Sequence, residues 1–290
     1  MYNMNINYGG FFMKLIFLDA DGTLFHSKGY IPNSAKEAIS KAKQNGHKII
    51  LCTGRQESEI YGDLCSIDYD GQILGSGALI KTNDCILENN VFSNEQIDRI
   101  ITYAISYNLP IIFESNQGLY INKEGMEKLS TIYHAYNRGL SNKEKSINGV
   151  TRLYSTVIPS SYEEIKQATP NKVTFLESDI PYQKIKDDLK EEFDIVQATF
   201  APFGKESGEI ADLSISKAHG MKTFIDYFNA KPEDVIAIGD GENDIPMFLL
   251  SHISIAMGNA LPVLKEMADY VTTSIDEDGI YNAFTHYHLI

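Results

Sequence analysis

Leu15 to Leu18 is an uninterrupted apolar run that ends abruptly in Asp19-Ala20-Asp21-Gly22-Thr23. A run this short and this apolar has the length of a strand buried on both faces. Asp19 and Asp21 then put charge at the strand's carboxyl end, and Gly22 supplies a turn. In open α/β sheets, the edge made by the carboxyl ends of strands is where ligands bind. Alone, Asp-x-Asp-Gly also fits a polar turn that only reverses the chain. The choice depends on whether other strands end the same way.

Lys48 to Cys52 is a second apolar run, and it ends in Thr53-Gly54-Arg55. Between the two runs, Asn33 or Ser34 caps a helix through Gln44, with Ala35, Ala38, Ile39 and Ala42 at helical spacing and Gly46 stopping it. Strand, helix, strand in this register predicts a right-handed parallel unit. A helix is expected over Gln56 to Ile60, and one short strand over Leu74 to Ile80. The alternation returns late in the chain. Ser216-Lys217 opens a helix to about Asn229, and Asp234 to Ile238 is a strand ending in Gly239-Asp240-Gly241-Glu242-Asn243-Asp244. Ile245 to Leu250 begins a helix, Ile253 to Met257 is a strand closed by Gly258-Asn259, and a helix through Ala268 leads to Tyr270-Val271. The predicted fold class is α/β, a doubly wound parallel sheet.

From about Asn83 the pattern changes. A helix over Asn94 to Asn108, strands around Pro110 to Phe113 and Gly118 to Asn122, and a helix and loop within 124–150 are expected. A strand over Lys172 to Leu176, an amphipathic helix over Pro181 to Phe193 and paired strands within Ile195 to Ile210 follow. Connections inside one compact domain are usually far shorter. Residues 83–210 therefore read as an inserted α+β domain, within a core of residues 1–82 and 211–290. Residues 1–12 are polar and Gly-rich, and read as an extension ahead of the first strand.

The chain has 39 acidic and 25 basic side chains, a formal net charge of −14. That argues against a nucleic-acid partner, whose affinity rests on Lys and Arg neutralising phosphates. A small anionic substrate stays open, because a bound divalent cation reverses the local field. Cys52, Cys65 and Cys85 are scattered like ordinary thiols of a reducing compartment. No signal peptide is read in Met1 to Met13 and no apolar segment of membrane-spanning length, so a cytoplasmic protein without a membrane partner is expected. Its expected state is a monomer or small homo-oligomer.

Asp19/Asp21, Thr53, Lys217 and Asp240/Asn243/Asp244 all fall at predicted strand ends or helix starts, which converge on one crevice in a doubly wound sheet. Several carboxylates, one cation and small hydroxyl or amide donors suit Mg²⁺ together with a phosphate. One carboxylate can serve as nucleophile. A second, two positions on, can protonate a leaving oxygen and later deprotonate water.

These same residues, Asp19-Ala20-Asp21-Gly22-Thr23, Thr53-Gly54-Arg55, Lys217 and Gly239-Asp240-x-x-Asn243-Asp244, resemble the four motifs of the haloacid dehalogenase-like (HAD) hydrolase superfamily. Ala256-Met257-Gly258-Asn259-Ala260, Ala268-Asp269 and Asp278-Gly279 resemble its Cof-type phosphatases, and the insert matches that group's C2-type cap in position and size. The resemblance implies that Asp19 is the nucleophile and a magnesium ligand. It implies that Asp21 is the general acid/base, with its carbonyl reaching the metal. Thr53 and Lys217 would hold the phosphoryl group, Lys217 also restraining Asp19. Asp240 would bind Mg²⁺ with Asp244 supporting it, and Asn243 would contact phosphate or orient Lys217. Gly54 and Arg55 would lie at the phosphate or cap-facing rim. Many relatives carry Asn-Gly where this chain has Ser76-Gly77.

The expected activity is Mg²⁺-dependent hydrolysis of a small phosphorylated metabolite, sugar phosphates first, through an aspartyl phosphate. Two alternatives stand beside it: a phosphomutase or phosphotransferase on the same scaffold, and a non-catalytic phosphate-responsive module. Asp21 separates the main reading from the last, since mere phosphate sensing needs no leaving-group acid.

Overall fold

The computed structural model describes residues 13–198 and 200–290; the expected extension over residues 1–12 lies outside them. In chain order the strands are β1 (Leu15–Leu18), β2 (Lys48–Cys52), β3 (Gly71–Leu74), β4 (Leu79–Lys81), β5 (Ile86–Asn89), β6 (Ile111–Ser115) and β7 (Gly118–Ile121). Then come β8 (Val157–Pro159), β9 (Lys172–Phe175), β10 (Phe193–Gln197), β11 (Gly208–Asp212), β12 (Val235–Gly239), β13 (Ile253–Ala256) and β14 (Tyr270–Val271). They form two sheets. The larger runs β14-β13-β12-β1-β2-β3-β4-β5 and the smaller β10-β11-β9-β6-β7-β8.

β1 lies inside the larger sheet, parallel to β12 on one side and to β2 on the other. Every residue of β1 and β12 is buried. This is what an apolar run without alternation signifies in a parallel sheet covered on both faces. The helix Asn33–Gln44 buries Ala35, Ala38, Ile39 and Ala42, the stripe its spacing predicts. The helix Lys217–Tyr227 buries Met221 and Phe224. Together with the strands they form one apolar cluster, in which each fully buried Leu, Ile or Phe contributes about 1.5–3 kcal/mol. The α/β expectation holds.

Other expectations are revised. Gln56-Glu57-Ser58-Glu59 has no apolar stripe to bury, and instead of a helix the chain makes two 3₁₀ turns, Glu57–Glu59 and Gly62–Ser66. Leu74 to Ile80 is not one strand: β3 ends at Leu74, Gly75–Gly77 turns, and β4 returns antiparallel. Gly77 has φ +112°, and a Cβ there would meet Ser216 O at 2.4 Å. The turn thus packs backbone to backbone against the residue that precedes Lys217. β5 continues antiparallel on β4, so residue 83 falls inside the antiparallel end of the larger sheet.

The smaller sheet has two unlike faces. One presents Ile111, Phe113, Val173 and Phe175 to the helices Asn94–Tyr107, Tyr162–Gln167 and Tyr182–Leu189. The other is divided. Ile112, Leu119 and Ile121 join Leu129 and Val157 in a second apolar cluster. Beside them Glu114, Lys172 and Thr174 form a buried polar patch, Glu114 standing opposite Lys172 across β6 and β9. Residues 124–150 are more helical than expected, with helices Lys123–Tyr136, Asn142–Ile147 and Gly149–Thr156. The helix expected to reach Phe193 is Tyr182–Leu189, because Phe193 starts β10. A further helix, Gly279–His286, packs on Asn33–Gln44. Among the described residues no helix is long and apolar enough to cross a membrane.

Candidate active site

Because β2, β1 and β12 are parallel neighbours, the residues just past their ends share one edge of the sheet. Those residues are Thr53, Asp19 and Asp240. Lys217 joins them from the first turn of its helix, where Ser216 Oγ accepts the His219 N–H at 3.1 Å. A cation at a helix N-terminus opposes the macrodipole. It stays there because carboxylates surround it.

Lys217 Nζ lies 2.6 Å from Asp19 Oδ1 and 2.6 Å from Asp244 Oδ1. The three side chains are almost sealed from solvent, at 2%, 5% and 0% exposure for Lys217, Asp19 and Asp244. Buried charges persist only when paired and hydrogen-bonded. Burial works against the charge on Lys217, yet Asp19 and Asp244 carry its pKa above the ordinary lysine value. Asp244 Oδ2 accepts the backbone N–H groups of Asp240 at 3.0 Å and Gly241 at 3.1 Å, so Asp244 ties the turn to the lysine. Asp19 keeps Oδ2 without a hydrogen-bond partner among the described residues. Burial pushes its carboxyl well above the usual carboxylate range; Asp244 adds to the rise and Lys217 opposes it.

Asp240 takes the Thr23 hydroxyl on Oδ1 at 3.3 Å and the Asn259 amide on Oδ2 at 3.2 Å. Asn259 also donates to Gly22 O at 2.8 Å, bridging the first and last motifs. Burial pushes the Asp240 carboxyl up to about 6, with Asp244 adding to it. One oxygen from each of Asp19, Asp240 and Asp244 lies within 4.8 Å of the other two. Three carboxylates against one ammonium leave an excess of negative charge on hard oxygen donors, which fits a small divalent cation.

Gly22 is required by this arrangement. Its φ is +82°, and a Cβ would stand 2.2 Å from Asp240 Oδ2. Gly22→Ala is expected to cost about 1–3 kcal/mol of stability and to push Asp240 out of the cluster. The denaturant midpoint should fall and the cation concentration for half-maximal activity should rise; an unchanged cation requirement would contradict the placement of Asp240.

Asp21 stands apart from this cluster. Its side chain takes a bidentate pair from Arg55, Nε to Oδ2 at 2.8 Å and Nη2 to Oδ1 at 2.7 Å, and is more than half exposed. Arg55 also donates to Glu59 O at 3.1 Å and lies over the rings of Phe25 and Tyr61. Arg152, from the smaller-sheet half, stacks on the other contact partner, Tyr61, at 3.3 Å. Thr53 is buried, and its Oγ1 accepts the Arg55 N–H at 3.1 Å. The Gly54 N–H has no protein acceptor among the described residues. Ser76 holds φ +57° and donates its N–H to Thr53 O at 2.9 Å. Asn243 is exposed on the turn Glu242–Asp244, and its side chain makes no hydrogen bond to the cluster. The geometry thus gathers Asp19, Lys217, Asp240 and Asp244, sets Thr53, Gly54, Arg55 and Asp21 along the rim, and leaves Asn243 outside.

Residues 16–284 match the haloacid dehalogenase-like hydrolase family. The chain belongs to that family, in its Cof-type branch. It is 27% identical over 276 residues to the putative phosphatase YkrA of Bacillus subtilis, covering 92% of this chain and 95% of that one. It is 26% identical over 276 residues to YwtE of the same organism, a 5-amino-6-(5-phospho-D-ribitylamino)uracil phosphatase, covering 92% and 96%. A plant match, the chloroplastic endoribonuclease YBEY of Arabidopsis thaliana, is 26% identical over 285 residues, and the chain spans 46% of its length. Among solved structures, the phosphatase BT1666 of Bacteroides thetaiotaomicron superposes with a TM-score of 0.80 over 100% of both chains at 24% identity. The subclass IIB sugar phosphatase BT4131 superposes with a TM-score of 0.75 at 26% identity, over 96% of this chain and 100% of that one.

Proposed function

We propose that this chain is a Mg²⁺-dependent phosphomonoesterase that hydrolyses small phosphorylated metabolites, sugar phosphates foremost, through an aspartyl phosphate on Asp19. That it is a hydrolase of phosphoric monoesters rests on the family and its phosphatase relatives. The finer reading is carried by one observation: a buried carboxylate, Asp19, pinned on one oxygen by Lys217 and, among the described residues, unpartnered on the other. An oxygen so held is presented for in-line attack.

In this reading Asp19 attacks phosphorus, the bond to the leaving oxygen breaks, and Asp21 delivers a proton to that oxygen. Water then attacks the phosphoryl group, Asp21 takes its proton, and phosphate leaves with Asp19 restored as a carboxylate. Asp21 is solvent-accessible, and to carry the proton it gives up one of its two bonds to Arg55 while keeping the other. Lys217 offsets charge on the phosphoryl oxygens and holds Asp19. The Thr53 hydroxyl and the free Gly54 N–H are donors for the remaining oxygens. Asp19 and Asp240 would hold Mg²⁺, with Asp244 orienting both through Lys217 and the turn. When bound, Mg²⁺ supplies positive charge to the phosphoryl oxygens. The smaller-sheet domain, from the helix Asn94–Tyr107 through β11, serves as the cap that encloses the leaving group. Sugar phosphates lead because YwtE acts on a phosphoribityl compound and BT4131 is a sugar phosphatase.

The test is phosphate release from p-nitrophenyl phosphate and a panel of sugar phosphates, with Mg²⁺ and with EDTA. Turnover with Mg²⁺ and its loss in EDTA is the expected result. Equal rates in both would remove the metal from the reading. Isomerised hexose phosphate in place of free phosphate, in the presence of a bisphosphate activator, would make the chain a mutase.

A further inference from the structure

We infer that Lys172, on β9 of the inserted domain, is a positioning residue for the phosphoryl grip, acting through the Gly54–Arg55 peptide. This rests on the phosphomonoesterase reading above, in which Thr53 and Gly54 bind the phosphoryl group.

Three consecutive carbonyls follow β2, and each is held. Thr53 O accepts from Ser76 N at 2.9 Å and Arg55 O accepts from Gly75 N at 2.7 Å, both within the larger-sheet half. The middle one, Gly54 O, accepts from Lys172 Nζ at 3.2 Å, from the other half. No peptide bond among the described residues is cis, so the carbonyl and N–H of the Gly54–Arg55 unit point to opposite sides. The N–H on the far side is the one that donates to Thr53 Oγ1 at 3.1 Å. Lys172 on one edge therefore sets the peptide plane that occupies a lone pair of the Thr53 hydroxyl on the other. With that lone pair occupied by a donor, the hydroxyl proton is directed outward, as a donor to a phosphoryl oxygen. A hydrogen-bonded chain of this kind strengthens along its length.

Lys172 is built for this position. It is buried, pairs with Glu114 at 2.9 Å and Glu209 at 3.4 Å, and Glu114 in turn accepts the Thr174 hydroxyl at 2.5 Å. Gln56, one residue past Arg55, reaches Glu114 with its amide at 3.5 Å. A lysine whose donors are all committed has none left for substrate, so its effect passes through the carbonyl it holds. The consequence is that the grip is fully formed only while the inserted domain is docked on the loop.

Two variants test this by kcat/KM for p-nitrophenyl phosphate and competitive inhibition by inorganic phosphate. Lys172→Gln keeps a donor for Glu114 but is too short for Gly54 O, and Lys172→Met with Glu114→Gln removes the buried charges together. Each is made in the wild-type and in a Thr53→Ala background, and whichever keeps the wild-type circular dichroism spectrum decides. In the wild-type background kcat/KM should fall roughly 10- to 100-fold, with weaker phosphate inhibition. In the Thr53→Ala background the same change should cost less than about twofold, because the two act as one unit. Equal losses in both backgrounds, or no loss in the first, would overturn the role of Lys172 while leaving the enzyme a phosphatase. A wild-type protein that hydrolyses no phosphomonoester would instead overturn the functional reading itself.

Discussion

Asp19→Asn is expected to lower kcat for phosphomonoester hydrolysis by roughly 10⁴-fold or more, the scale on which covalent catalysis fails when its nucleophile is removed. The asparagine amide keeps the shape and can still accept from Lys217 through its carbonyl oxygen, but is a poor nucleophile towards phosphorus. The same change should leave stability equal or higher in metal-free buffer. Asp19 is almost fully buried and shares its corner with Asp240 and Asp244, so its negative charge is opposed by burial and by like charges. Removing that charge relieves repulsion that the fold tolerates for the sake of the reaction. Stopped assays of phosphate release and urea denaturation of the same preparations check both halves. Residual turnover within tenfold of wild type would displace Asp19 as nucleophile, and a clearly lower midpoint would show that its charge supports the fold.

Lys217→Met carries the opposite expectation for stability. Lys217 is the only cation bonded to Asp19 and Asp244 among the described residues, and its removal leaves two buried carboxylates facing each other. Breaking a buried pair in this way costs about 3–5 kcal/mol. Activity should be lost as well, because the phosphoryl oxygens and Asp19 lose their shared partner. Pairing Lys217→Met with Asp244→Asn separates the two effects: the midpoint should recover in part, since one unpaired charge is gone, while hydrolysis stays absent. A single variant as stable as wild type would mean that the ion triad is not what holds this corner together.

Much of this site is legible in the sequence because it is written in short local patterns. Apolar runs ending in Asp19-x-Asp21, Thr53 and Gly239-Asp240 announce both the strands and what stands at their ends. Parallel pairing then brings them together without further information. What escapes is set by tertiary partners. The helix expected after Arg55 gives way to 3₁₀ turns because Gln56 and Glu59 bond to each other's neighbourhood instead of to a helical ladder. The embrace of Asp21 by Arg55 joins two motifs that no spacing rule connects. Asn259 looks like part of a turn, and only the fold puts it between Gly22 and Asp240. Lys172 did leave a trace. Lys172 and Thr174 alternate with Val173 and Phe175, and such alternation in a strand marks one face that is not core.

The pairing of β1 with both β2 and β12 has a temporal side. During synthesis, Leu15–Leu18 finds β2 early, yet its other edge waits for Val235–Gly239, after the whole smaller sheet has been made. Contacts that distant in sequence form slowly. The nascent chain therefore carries an apolar strand with one open flank while the domain between Ile111 and Asp212 has every partner it needs to fold. Two of the three clustered carboxylates, Asp240 and Asp244, join Asp19 last, so the acidic cluster is complete only once the final third of the chain has left the ribosome.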